Sequence, residues 1–232
     1  MTIGLRLRRI HLDKNEIQEN PHYNTIGIYY DALSESALVY GPVGSAYEHF
    51  PFFFTVEFPE NYPFSPPALR CCTAYGSAVL HPLLKAGAFV EFPAGWWRAT
   101  YRLSTVLASV QGLLSGEWPL AHDCAYVLTD LSMNVHYRNY VRNVGWIYSY
   151  SVASGERCLR AASTRLVEVV RQRITGMDLH EDVDMIDNEC LPYCLSAVGL
   201  AEKLRAVRET YLNIKNTFII GELVENAKVL SE

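Results

Sequence analysis

The side chains best able to do covalent or metal chemistry in this sequence are six cysteines: Cys71, Cys72, Cys124, Cys158, Cys190 and Cys194. A cysteine works through its thiolate, as nucleophile, metal ligand or half of a disulfide. Structural zinc prefers two ligand pairs, each about two to four residues apart. Cys190 and Cys194 in CLPYC together with the vicinal Cys71 and Cys72 do not supply two such pairs. No metal site and no cofactor is therefore expected. Disulfide frameworks belong to short secreted chains with dense, even cysteine spacing, which a chain of 232 residues with this pattern lacks. Buried free thiols in a reducing compartment are the expectation. The acidic run MDLHEDVDMIDNE at 177–189 lacks the glycine and ligand spacing of a calcium loop.

Composition excludes further classes. A formal net charge of −5 argues against a nucleic-acid binder, which needs a basic face to meet phosphates. Charged residues make up 19%, against a typical share of about 25%, so the surface is short of charge. Exposed tyrosines, of which the chain has 15, and coverage by other subunits both fit that shortage. No stretch approaches the roughly 18 uninterrupted apolar residues that span a bilayer, so no transmembrane segment is expected. The first residues, MTIGLRLRRIHLDKN, lack the apolar block of a secretory signal. Arg6, Arg8 and Arg9 ahead of the first acid, Asp13, faintly resemble a mitochondrial presequence, yet Ile3, Leu7, Ile10 and Ile17 also fit one face of an ordinary surface helix.

The elements follow from periodicity and punctuation. Asn20-Pro21 ends the first helix, and TIGIYYD (25–31) reads as a strand by its β-branched and aromatic content. ALVYGP (37–42) and FPFFFTVEFP (50–59) continue as a meander, the latter with Phe52, Phe54, Val56 and Phe58 alternating against their neighbours. NYPFSPP (61–67) has three prolines in seven residues and must be an extended loop. ALRCCTA (68–74) is a fourth strand, and Tyr75 to Tyr101 is an irregular flap. Ser104 reads as the N-cap of a helix through Leu114, with Val106, Leu107 and Val110 toward the core. Later residues are helical in tendency, including 154–174 with Leu159, Ala162, Leu166 and Val169 in step. Near the C-terminus Leu200, Leu204, Val207, Tyr211, Ile214 and Phe218 continue a heptad seam that starts at Tyr193; it serves either internal packing or a partner's helix.

This order of one helix, a four-stranded meander, a proline-rich loop, a flap and then helices resembles the ubiquitin-conjugating (E2) fold. The motifs agree. FTVEFPENYPFSPP, containing Tyr62, Pro63, Pro66 and Pro67, is similar to the family's third strand and the loop after it. His81-Pro82 resembles the start of the family's His-Pro-Asn motif, Trp96 or Trp97 its flap tryptophan, and STVLASVQGLL the following helix. The resemblance implies an α+β class: an E2-like domain at 1–145 with an N-terminal helix, a four-stranded antiparallel meander, a flap and helices, then a helical C-terminal extension at 146–232.

In this family, chemistry depends on a thiolate that holds ubiquitin as a thioester and an asparagine amide that supports the oxyanion. Here the cysteine position is Val90, three residues after Gly87, and the asparagine position is Leu83. No cysteine lies between Cys72 and Cys124, so no shift of the flap restores a thiol. Non-catalytic status is the expectation. Among inactive relatives, His81-Pro82-Leu83, Trp97-Arg98, TVEFPENYP and Pro119-Leu120 resemble the Fused Toes type, also called the AKT-interacting-protein type. That implies an adaptor-like subunit joining other proteins, coiled-coil or helical ones among them, in the cytoplasm. Two alternatives stand beside it: an accessory subunit of a large assembly such as a mitochondrial respiratory one, and a cofactor of an active conjugating enzyme. Ubiquitin binding is left open.

Overall fold

The computed structural model describes residues 3–74, 80–116 and 163–175, with scattered helical positions between 138 and 153. Helix α1 (Ile3–Glu19) runs without proline until Asn20-Pro21 stops it. Asn20 then caps the short α2 (Pro21–Thr25), its side chain accepting the His22 N–H at 3.0 Å. The expected strand at 25–31 is therefore shorter. Thr25 closes α2, Gly27 turns the chain at φ 85°, and β1 is Ile28–Asp31.

Three more strands follow, β2 (Ser36–Val39), β3 (Phe52–Glu57) and β4 (Ala68–Cys71), in one antiparallel sheet ordered β1-β2-β3-β4. The β1–β2 turn closes on Asp31, whose carboxylate accepts from the Leu33 N–H at 3.2 Å and the Ser34 hydroxyl at 2.8 Å. After β2 the chain doubles back at Gly41-Pro42. A Cβ on Gly41 would lie 2.7 Å from the Tyr47 Cβ and 2.8 Å from its backbone carbon, so any side chain there must push Tyr47 aside.

Cross-strand partners share a face, and successive residues alternate. One face carries Ile28, Ala37, Phe52, Phe54, Leu69 and Cys71, all buried beneath α1 and α3 (Leu103–Leu113) through Ile17, Val106, Leu107 and Val110. Each such aromatic or aliphatic side chain contributes about 1.5–3 kcal/mol on burial. The alternation read from the sequence leaves Phe53 facing outward. In the structure Phe53 is 1% exposed and Leu38, its partner on the second face, is fully buried. Helix α4 (Thr164–Thr175), far along the chain, packs against β1 and lays the Arg173 guanidinium over the Tyr40 ring on that side.

Helix α3 begins two residues earlier than the sequence suggests. Thr105 Oγ1 accepts from the Arg102 N–H at 3.3 Å, so the cap is at Arg102. Ser104 instead turns its hydroxyl to Glu16 on α1 at 3.2 Å. In α1, Ile10 and Ile17 face the core as expected, whereas Leu7 is 55% exposed. The third position on the buried face is a fully buried carboxylate, Asp13. Helix α4 buries Leu166, Val170 and Ile174 in the same core as the sheet; Leu159 and Ala162 lie outside the described residues.

Candidate functional site

The proline-rich loop, the flap and the start of α1 are joined into one surface by buried polar bonds. Tyr62 is fully buried, and its hydroxyl donates to Asp13 Oδ2. Arg9, one turn earlier on α1, donates through Nε to both carboxylate oxygens at 3.1 and 3.2 Å. A buried carboxylate is tolerated only with such partners. Burial, and next the hydrogen bond to Asp13, push the Tyr62 phenol above its ordinary value of 10.0. Arg9 also donates to the Tyr101 carbonyl at 2.6 Å, and Arg6 to the carbonyls of Pro59 and Phe58 at 3.0 and 2.9 Å.

The flap tryptophan completes the joint. Trp97 Nε1 donates to the Pro63 carbonyl at 2.8 Å, and its ring centroid lies 6.2 Å from that of Tyr62, which meets Phe58 edge-on at 5.0 Å. The Tyr62–Pro63 peptide is cis. Pro67 is buried and Pro66 half-buried, so the loop rests on the domain while Phe64 at its tip is 66% exposed. Of the residues expected from sequence, Tyr62, Pro63 and Trp97 meet directly.

His81 serves a different purpose, holding the flap to the core. It is fully buried, its Nδ1 takes the Leu83 N–H at 3.1 Å, and its Nε2 faces the Leu113 carbonyl at 3.2 Å. A backbone N–H can only donate and a carbonyl only accept, so the ring is the neutral Nε2–H tautomer. Tyr47 supports it from the side, with centroids 5.4 Å apart and its hydroxyl donating to the Leu80 carbonyl at 3.0 Å. Pro82 is half-buried and Leu83 is 44% exposed.

Residues 87–90 lie along β4 as a short extra rung. Cys71 donates to Ala88 at 2.9 Å and Val90 to Leu69 at 2.8 Å across the bridge between Arg70 and Phe89. Arg70 fastens this rung, its guanidinium 4.1 Å from the Phe89 ring centroid and its Nη1 3.1 Å from the Gly87 carbonyl. Phe89 shares the face of Arg70, so Val90 turns the opposite way, into the core, and is 8% exposed. An isopropyl group there cannot form a thioester, and the isobutyl group of Leu83 cannot donate a hydrogen bond. Cys71 is buried, with its thiol pushed up to about 12 by burial, and Cys72 is half-buried with its sulfur 3.5 Å from the Arg70 carbonyl. Cys124 and the seam from Leu200 through Leu204, Val207, Tyr211, Ile214 and Phe218 lie outside the described residues.

The family profile described as ubiquitin-conjugating enzyme matches residues 9–144, more than half of the chain. The chain belongs to that family. The matched span covers the meander, the proline-rich loop, the His81-Pro82 flap and α3, so the expected E2 fold is the one observed. Among solved structures the chain is similar to a protein assigned as a ubiquitin-conjugating enzyme from Plasmodium yoelii. The two are 17% identical, with 62% of this chain and 96% of that one covered, at a TM-score of 0.46. It is also similar to the E2 domain of a Toxoplasma gondii ubiquitin-conjugating enzyme, at 20% identity over 61% of this chain and 94% of that one, with a TM-score of 0.44.

Sequence reasoning missed Asp13, Arg9 and Arg70, which position this E2 surface. A signal existed for one of them: Asp13 stands between Ile10 and Ile17 on the apolar face of α1, where an ionised group needs a buried partner. Arg70 carried no local signal, because it acts on a flap segment distant in sequence.

Proposed function

We propose that this chain is a non-catalytic E2-fold protein that works by binding other proteins, an adaptor-like subunit of the Fused Toes type in the cytoplasm. The observation that carries the reading is the pair of side chains at the family's reactive positions: Val90, directed into the core, and Leu83, which has no amide. Motifs that shape the fold are kept beside them. Tyr62, Pro63, His81 and Trp97 each make a hydrogen bond that holds loop or flap in place. A protein that retains the scaffold and lacks thiol and amide has a surface to offer and no thioester to transfer. Its partners are other protein subunits, with helical or coiled-coil chains suited to the seam from Leu200 to Phe218.

The test is a thioester assay with activating enzyme, ATP and ubiquitin, resolved without reductant. No reducible adduct is expected. An adduct that disappears on substitution of Cys71, Cys72 or Cys124 overturns the reading. Affinity purification of the full chain then distinguishes an adaptor from a cofactor of an active conjugating enzyme, since only the latter co-purifies with such an enzyme and raises its chain-forming rate.

A further inference from the structure

We propose that Ser65, in the proline-rich loop, is a phosphorylation site for a proline-directed kinase. Of the 11 prolines in the chain, Pro66 alone follows a serine or threonine, so the sequence holds a single Ser-Pro step. Pro63 stands two residues before Ser65, and Pro67 follows Pro66. Proline directly after the acceptor suits a kinase pocket that offers no partner to a backbone N–H at that position, since proline brings none.

The fold places this step where an enzyme can reach it. It lies on the loop between β3 and β4, with Asn61 and Phe64 exposed and Ser65 half-buried. A residue that precedes proline is held in extended backbone, and the Ser65–Pro66 peptide is trans, so the acceptor is already presented as an extended segment. The hydroxyl is also free to react. Ser65 Oγ accepts from Asn61 Nδ2 at 2.7 Å on the exposed side, and its own proton goes to no acceptor among the described residues. By contrast the hydroxyls of Ser34, Ser104, Ser109 and Ser115 each donate within the domain, at 2.8, 3.2, 2.8 and 2.6 Å.

The co-substrate is ATP. Ser65 Oγ forms a bond to the γ-phosphorus, the bond from that phosphorus to the β,γ-bridging oxygen breaks, ADP leaves with that oxygen, and the hydroxyl proton passes to the kinase's catalytic aspartate. The product carries a charge of about −1.5 to −2 at neutral pH. Residues 57–69 include Glu57 and Glu60 and no lysine or arginine, so the loop itself does not neutralise that charge. Phe64, 66% exposed at the loop tip, then stands beside a dianion, which penalises any apolar contact made there. Asn61 Nδ2 can donate to a phosphate oxygen as it does to Oγ, so the loop keeps its internal bond.

The test treats the full chain with an activated extracellular-signal-regulated kinase, Mg²⁺ and ATP, and maps the phosphate by fragmentation mass spectrometry. One phosphoryl group is expected, on Ser65, and Ser65→Ala should lose it. Pro66→Ala keeps the hydroxyl and should be modified about tenfold more slowly or worse, the discrimination a specificity pocket gives. The same pair compared as synthetic peptides of residues 59–69 reads the proline requirement free of any effect on folding. The phosphorylated chain should melt within about 2 °C of the unmodified one, because the modified group lies at the exposed rim of the loop. Wild type that takes up no phosphate, or takes it on other residues in place of Ser65, overturns the proposal. So does a Pro66→Ala peptide modified as fast as its parent, or a Tm that falls by more than about 5 °C on phosphorylation, which would place the hydroxyl inside the packing.

Discussion

Replacing Tyr62 by Phe removes one hydroxyl and tests whether the proline-rich loop is held by Asp13. The ring remains to pack on Phe58 and Trp97, so the change isolates the bond to a fully buried carboxylate. A hydrogen bond to a charged group contributes about 1.5–3 kcal/mol. Asp13 keeps both bonds from Arg9 at 3.1 and 3.2 Å, so its charge is not stripped of partners, and the lower part of that range, about 1.5–2 kcal/mol, applies. For a domain of this size that is a fall in Tm of about 3–8 °C, read by near-ultraviolet circular dichroism in a thermal scan. Asp13→Asn costs more, because Arg9 loses its counter-charge inside the domain. The double variant should show a coupling energy of about 1 kcal/mol or more, since the two groups touch. A Tm within about 1 °C of wild type for Tyr62→Phe, or a coupling near zero, refutes the assignment.

Supplying the missing chemistry in the double variant Leu83→Asn, Val90→Cys should yield no ubiquitin thioester in the same non-reducing assay, because the new sulfur points into the core where Val90 is 8% exposed; a thioester would show that the flap opens to the activating enzyme. Alkaline pH should destabilise the domain. Tyr30, Tyr40 and Tyr62 are raised above 10.0, chiefly by burial, so the unfolded chain releases those protons near pH 10 while the native chain retains them. Stability is then constant below about pH 10 and declines above it, and an unchanged urea midpoint at pH 11 would contradict this. Gly41→Ala should cost about 1–3 kcal/mol by overpacking against Tyr47, measured by urea denaturation, whereas alanine at Gly44, where a Cβ meets nothing within 4 Å, costs only the strain of its positive φ.

Much of the fold was legible because its cues are local. Alternating aromatic residues, Gly41-Pro42 and the prolines at 63, 66 and 67 set strands, turn and loop within a few residues of themselves. The misreadings also have local causes. Thr25 and Ile26 look β-prone, yet Asn20-Pro21 starts a helical turn that consumes them. Ser104 has the composition of a cap, but Thr105 reaches back to Arg102 and leaves Ser104 to bond Glu16 on another helix. Phe53 reads as a solvent-side residue, yet at 1% exposed it is covered by packing that its own strand does not reveal.

The order of elements, the E2 motifs and the residue types at positions 83 and 90 were readable from the chain alone, since identity and spacing need no third dimension. Folding in three dimensions is what joins Asp13 to Tyr62 across 49 residues, lets Arg70 pin Phe89 while Val90 turns inward, and lays α4 against β1 with Arg173 over Tyr40. The reason is physical. A strand's pattern records that a side chain will be buried, and what buries it depends on segments brought together only when loop-closure entropy is overcome by packing across the whole domain.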